Sequence, residues 1–308
     1  MIRYVARRLV YMLAALFIIV SVTFFISKAL PGTPFADPKL SPQVREQLFE
    51  KYGLNEPLYV QYAKYVANVA QGDLGNSYYF EGRPVSQMIL QRLPVSAFIG
   101  IQAVIFGLFI GMVLGIVAAL RHNTVWDTLA VVVAILGVSV PSFVLGPLLQ
   151  RWLGLKLGLF PIALWGSWMH SVLPSLALSV FVVSTVARFI RTEMLEVMGQ
   201  EYITLAKAKG ISSLAVIIKH VLRNSLIPLV TVMAPLTVYI ITGSLVIEQI
   251  FAVPGIGEQF VQSVVVNDYS MILGTTIFFS VLFISALLIQ DIMYGIIDPR
   301  IRVAGAKE

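Results

Sequence analysis

"EYITLAKAKGISSLAVIIKHVLRN", residues 201–224, sets Lys207, Lys209, Lys219, His220 and Arg223 on a half-polar stretch between two runs that are almost wholly apolar. The spacing within it predicts two short helices. Glu201 to Lys209 forms the first, Gly210 supplies the residue tolerant of positive φ where that helix must end, and Ser212 caps a second helix through about Arg223. Leu214, Ile217, Ile218 and Val221 recur at helical spacing while Lys219 and Arg223 share another face. Lysines that only fixed topology would need no such periodicity. An apolar stripe on a polar segment wants a partner.

Outward from this stretch the chain is mostly hydrocarbon. Of its 308 residues, 58% are hydrophobic and 12% charged, and the mean hydropathy is +0.85, which excludes an ordinary soluble globular domain. The apolar residues gather into runs long enough to cross a bilayer, which takes about 20 residues. Six such runs stand out: Leu9 to Leu30, Val95 to Leu120, Leu129 to Leu149, Val172 to Ile190, Leu226 to Ile250 and Met271 to Ile297. The first follows Arg3, Arg7 and Arg8, as a signal peptide would, but it is too long and lacks an A-x-A site. The pair Arg7-Arg8 lacks the polar residue that precedes it in a twin-arginine signal. An all-α polytopic membrane protein with six transmembrane helices is expected.

Orientation follows from Lys and Arg, because basic loops resist translocation. With the N- and C-termini cytoplasmic, thirteen of the 22 basic residues lie inside, with seven acids, and the outer side is neutral. The formal net charge of +6 is then wholly cytoplasmic, and a positive-inside bias accounts for it without a nucleic-acid partner. The chain divides into residues 1–30 (N-terminus and first span), an extracytoplasmic cap over 31–94, and a core over 95–308 holding the cytoplasmic segment 191–224. In the cap, Ser41 opens a helix to about Tyr52, Gly53 ends it, and Pro57 opens another that reaches Ala70. With no cysteine in the chain, packing rather than disulfides must hold this cap.

The sequence offers no catalytic constellation. It has no G-x-x-x-x-G-K-[ST] phosphate loop, so ATP and Mg are not expected to bind here, and no cofactor or metal is expected. His122, His170 and His220 are scattered and form no H-E-x-x-H pair. The serines of "VSVPSF" and "ITGSL" sit in no G-x-S-x-G elbow, which speaks against an intramembrane hydrolase. A stand-alone secondary transporter or channel would need ionisable groups within its spans, and Lys28, Glu248 and Asp291 lie near span ends. Gly107, Gly111 and Gly115 form a ladder for close helix approach, inside the chain or toward another subunit. Pro141, Pro228 and Pro235 interrupt helical hydrogen bonding where a cavity or neighbour can satisfy the freed groups. Candidate pathway residues therefore cluster at Ser139, Pro141, Ser142, Pro235, Tyr239, Thr242 and Ser244. Trp152, Trp165 and Trp168 suit an outer interfacial belt.

The stretch "EYITLAKAKGISSLAVIIKHVLRNSLIP" resembles the cytoplasmic signature of binding-protein-dependent ABC importer permeases, in the form found in the peptide-importer branch. Glu201, Tyr202, Ala206, Ala208, Lys209, Gly210, His220, Asn224 and Pro228 match it. The likeness extends through "KYGLNEPLYVQY", "GDLGNSY", "RLPVS", "VPSFV", "ITGSLVIEQIFAVPGIG" and "DPRIR", nearly the whole chain. The general permease signature carries Glu-Ala-Ala where this chain has Thr204, Leu205 and Ala206, so only the peptide-importer variant fits. The resemblance implies a type I ABC importer permease fold in a bacterial inner or plasma membrane. It implies a second homologous permease subunit, two cytoplasmic ATPase subunits or domains that bind ATP and Mg, an extracytoplasmic peptide-binding protein, and peptide as cargo. It implies ATPase coupling through Glu201, Tyr202, Leu205, Ala206, Lys207, Ala208, Lys209, Gly210 and Leu214. The loop holding Pro254, Gly255, Ile256, Gly257 and Glu258 either reaches the binding protein or the cavity mouth, or is a re-entrant packing turn.

Overall fold

In a computed structural model of the chain, residues 2–29, 35, 41–80, 82–242 and 244–297 are described. The entry to the expected cap at 30–34 and 36–40, Gly243, and the closing "DPRIR" at 298–302 lie outside the described residues. Among the described residues, five helices are long and apolar enough to cross a membrane: Ala6–Ala29, Val85–Leu120, Trp168–Met198, Ser213–Ile250 and Tyr269–Met293. The pair Val125–Ser139 and Ser142–Lys156 makes a sixth span if counted as one, but it bends by 101° at the break. The sequence predicts one continuous span from Leu129 to Leu149, and the break corrects it. Pro141 has no N–H to give and its ring opposes helical geometry in Val140, whose ψ of 113° is extended. The second span also starts earlier than expected, at Val85 rather than Val95, because Pro94 is accommodated inside the helix.

The chain forms two compact units. The first holds residues 1–95 and 254–288: helix α1 (Ile2–Ala29), α2 (Pro42–Lys51), α3 (Leu58–Ala70), the start of α4 (Val85–Leu120), α12 (Ile256–Val265) and most of α13 (Tyr269–Ile297). Ser41 caps α2 through a bond from the Val44 amide, and Gly53 (φ +64) reverses the chain after it, as the sequence requires. Aromatic packing ties α3 to α1: buried Phe24 stacks on Tyr65 at 5.3 Å, and Ser21 shares a 2.6 Å hydrogen bond with the Tyr62 hydroxyl. Asp268, buried at the start of α13, accepts hydrogen bonds from the Ser77 hydroxyl, the Tyr78 amide and the Met271 amide. One carboxylate thus caps the last helix and fastens the loop that follows α3. Beneath it Val85, Met88, Ile89, Ile256 and Met271 form an apolar cluster.

The second unit holds residues 96–253 and 289–308. It contains the rest of α4, α5 (Val125–Ser139), α6 (Ser142–Leu149, continued by a π-helical segment to Lys156), α7 (Val172–Met198), α8 (Glu201–Ala208), α9 (Ser213–Val216, continued by a π-helical segment to Leu222), α10 (Arg223–Thr242) and α11 (Leu245–Ile250). Buried helix α7 is its axis. The glycine ladder of α4 lies directly on it: a Cβ at Gly111 would stand 2.8 Å from Val186 Cβ, and one at Gly115 2.7 Å from the Ala187 carbonyl. The ladder is therefore an internal contact, as close helix approach in lipid demands.

A buried ion pair joins α5 to α7. Arg191 donates from Nε and from a terminal nitrogen to the two oxygens of Asp127, at 2.7 and 2.9 Å. The Asn123 amide and the His122 ring complete the carboxylate's shell. Asp127 also lies in the first turn of α5, where negative charge is favoured by the exposed amide dipoles.

Candidate functional site: a glycine-jointed helix and the recess beside it

Helix α8 turns Ile203 and Ala206 inward and leaves Glu201, Tyr202, Thr204, Leu205, Lys207 and Ala208 exposed. It ends at Gly210, whose φ is +77. The Gly210 amide bonds the Lys207 carbonyl at 3.0 Å and the Ile211 amide reaches back to Ala206 at 3.4 Å, the paired closure that a left-handed residue after a helix allows. Ser212 then caps the next helix through the Ala215 amide. The joint predicted from the sequence is thus present with its chemistry.

Two features of the segment depart from the sequence expectation. The second helix does not stop near Arg223: it passes through the wide π-helical turns Ile217–Leu222 into α10 without a break. The expected single stripe also divides. Val221 is buried and Ile217 half-buried, whereas Leu214 and Ile218 are 68% and 54% exposed. Tyr202 and Leu205 are exposed as well, at 42% and 55%. Spacing alone merges the two sets because 214, 217, 218 and 221 share one side of an ideal helix, and only the neighbours decide which half is covered. Sequence reasoning missed the bond that ties the segment together: Asn224 Nδ2 donates to the Tyr202 hydroxyl at 2.8 Å, linking α8 to the base of α10. The motif contained both residues, and their polarity was the available signal.

At the α5–α6 break lies an open recess of about 170 Å3 between these helices, α7 and α10. Pro141, Ser142 and Tyr239 line it, with Gly137 and Phe181, and the Phe181 and Tyr239 rings are 5.8 Å apart. Ser139 is exposed in the chain and gives its hydroxyl to the Ile135 carbonyl. Thr242 likewise bonds the Val238 carbonyl. Pro235 is half-buried within α10. Ser244 is buried and bonds Glu248 at 2.5 Å. The recess brings together three of the seven pathway candidates.

The turn at 254–258 belongs to the first unit. Pro254 is exposed, but Ile256 is buried in the Val85–Met271 cluster, and Glu258 pairs with Arg92 at 2.5 Å. Among the described residues no group of three or more His, Cys, Asp or Glu is placed to hold a metal ion.

Residues 111–303 match the model of the binding-protein-dependent transport system inner membrane component, and residues 1–100 match the model of the N-terminal part of such components. The chain belongs to this family. The dipeptide transport system permease protein of Lactococcus lactis is 45% identical over 303 residues, covering 98% of this chain and all of that protein. Its counterpart in Bacillus subtilis is 42% identical over 304 residues, covering 98% and 99%. The oligopeptide transport system permease protein of Haemophilus influenzae is 40% identical over 305 residues, covering 98% and 100%. The all-helical permease with its five or six spans has the type I ABC importer permease fold and is a multi-pass inner-membrane protein.

Proposed function

We propose that this chain is the membrane-spanning subunit of an ATP-driven peptide importer, forming half of the translocation pathway. A second homologous permease supplies the other half, an extracytoplasmic binding protein delivers peptide, and two cytoplasmic ATPase subunits or domains bind ATP and Mg and do the hydrolysis. The observation that carries the coupling is the exposed apolar set Tyr202, Leu205, Leu214 and Ile218 around a fixed glycine joint. Apolar surface of this kind on a polar segment fits a groove on a partner. Motion of a docked α8 passes through the Tyr202–Asn224 bond and the unbroken α9–α10 helix to Tyr239 at the recess. That makes a lever, with the chemistry left to the ATPases. A stand-alone secondary transporter would have no use for such a docking surface. Reconstitution tests the whole reading: peptide should accumulate in vesicles only with ATP, the binding protein and both permeases present, and uptake by this chain alone would sink it.

The same reading puts both termini, Arg121 and residues 191–224 in the cytoplasm and 31–94 outside. Ser41 and Ser212 are exposed, and each gives up only a cap of about 1 kcal/mol on replacement. Single cysteines at these positions in the cysteine-free chain should label from opposite sides with an impermeant maleimide. Labelling of both from one side would overturn the topology.

At the 254–258 turn the burial of Ile256 favours the packing reading for that residue and leaves contact with the binding protein to Pro254. A photo-crosslinker at position 256 should capture its own chain, at Val85, Met88 or Met271, while one at 254 should capture the binding protein. Capture of the binding protein from position 256 would reverse this assignment.

A further inference from the structure

The first unit contains an open cleft of about 470 Å3 bounded by the end of α1, by α2 and α3, by the loop after α3 and by the start of α13. Three polar groups that line it have atoms with no hydrogen-bond or ion-pair partner among the described residues. Lys28, half-buried, holds its ammonium 5.7 Å from the Phe24 ring and makes no ion pair among the described residues. The Tyr65 hydroxyl is buried without a hydrogen bond, and so is one oxygen of Glu56, whose other oxygen takes Lys64 at 2.5 Å. Buried polar atoms of native proteins are overwhelmingly satisfied, so two buried orphans, with a half-buried ammonium on the same cleft, point to something that enters it. Tyr52, Tyr78 and Tyr269 add aromatic wall to the same space.

These groups differ in sign. Lys28 and Tyr65 are donors suited to a carboxylate, the free Glu56 oxygen is an acceptor suited to an ammonium, and the rings suit an apolar side chain. We propose that this cleft binds short zwitterionic peptides directly, with the terminal carboxylate on Lys28 and Tyr65 and the terminal ammonium on Glu56. The proposal rests on the peptide-import reading and adds a holding site on the permease itself, apart from the recess in the second unit. Peptide released from the binding protein would be retained at the permease and not lost to the medium.

Calorimetry on the assembled permease–ATPase complex, without binding protein, tests it with alanyl-phenylalanine as the probe and N-acetyl-alanyl-phenylalanine amide as its uncharged counterpart. The zwitterion should bind, and the blocked peptide should bind at least tenfold more weakly, because charge-assisted hydrogen bonds are lost at both ends. Lys28→Gln should weaken the zwitterion by about tenfold. Tyr65→Phe keeps the ring on Phe24 and removes only the hydroxyl, so it should weaken binding severalfold with no change in the unfolding midpoint. Absence of binding, equal affinity for both peptides, or affinity unchanged in both variants would overturn the proposal. Uptake of alanyl-phenylalanine by the complete wild-type importer, measured in parallel, separates the two ideas: uptake without binding overturns the cleft alone, and loss of both overturns import as well.

Discussion

Gly210→Val should leave the permease inserted and assembled while cutting peptide uptake and peptide-stimulated ATP hydrolysis by roughly five- to thirtyfold. Nothing stands within 4 Å of where a Cβ would go at this glycine, so the substitution creates no clash and gives the fold no reason to fail. Its φ of +77 is the difficulty. A residue with a Cβ held there costs about 1–2 kcal/mol, more if β-branched, and a strain of that size shifts a two-state balance by the factor just given. The chain relieves it by reopening the joint, which loosens the closures onto Lys207 and Ala206 and changes the angle that α8 presents to the ATPase. Gly210→Asn should recover much of the activity, because asparagine tolerates left-handed backbone. A Val variant that transports at the normal rate, or an Asn variant as impaired as Val, would show that the joint angle does not matter.

The second large effect is expected in stability. Asp127→Ala removes one side of the buried pair and leaves the Arg191 guanidinium beside an apolar methyl, at a cost of about 3 kcal/mol, the low end of the range for such breaks. The low end applies because Arg191 keeps some access to water, its side chain being 26% exposed. The unfolding midpoint of the purified permease should fall by several degrees. The double variant Asp127→Leu with Arg191→Met should regain at least half of the loss, since no uncompensated charge is left. If the single and double variants melt alike, the pair contributes through packing and not through charge.

Much of this architecture can be read from the chain because lipid leaves few options: apolar runs must be helices, and cysteine-free soluble segments must be packed. Gly210, Ser212, Ser41 and Gly53 announced their turns because left-handed backbone and caps select few residue types. The 101° break was only half legible. Pro141 was visible, but whether a proline kinks or ends a helix depends on its neighbours, and Pro94, Pro228 and Pro235 all stay inside helices. Asp127–Arg191 escaped entirely, because 64 residues separate the two and nothing local in either requires the other. The glycine-jointed segment at 201–224 was legible and its apolar faces were not resolved, since burial is a property of what lies alongside.

The Ser77–Asp268 bond spans 191 residues of chain. At translation rates of about 5–20 residues per second, roughly ten to forty seconds pass between synthesis of the serine and arrival of the aspartate that will hold it. Throughout that interval the loop after α3 is without its anchor, open to any protease or chaperone that reaches it. Completion of the first unit is therefore a late event in the protein's biogenesis, closed only when α13 is made, and a ribosome that stalls before α13 leaves a product whose earliest segments are the ones still unfinished.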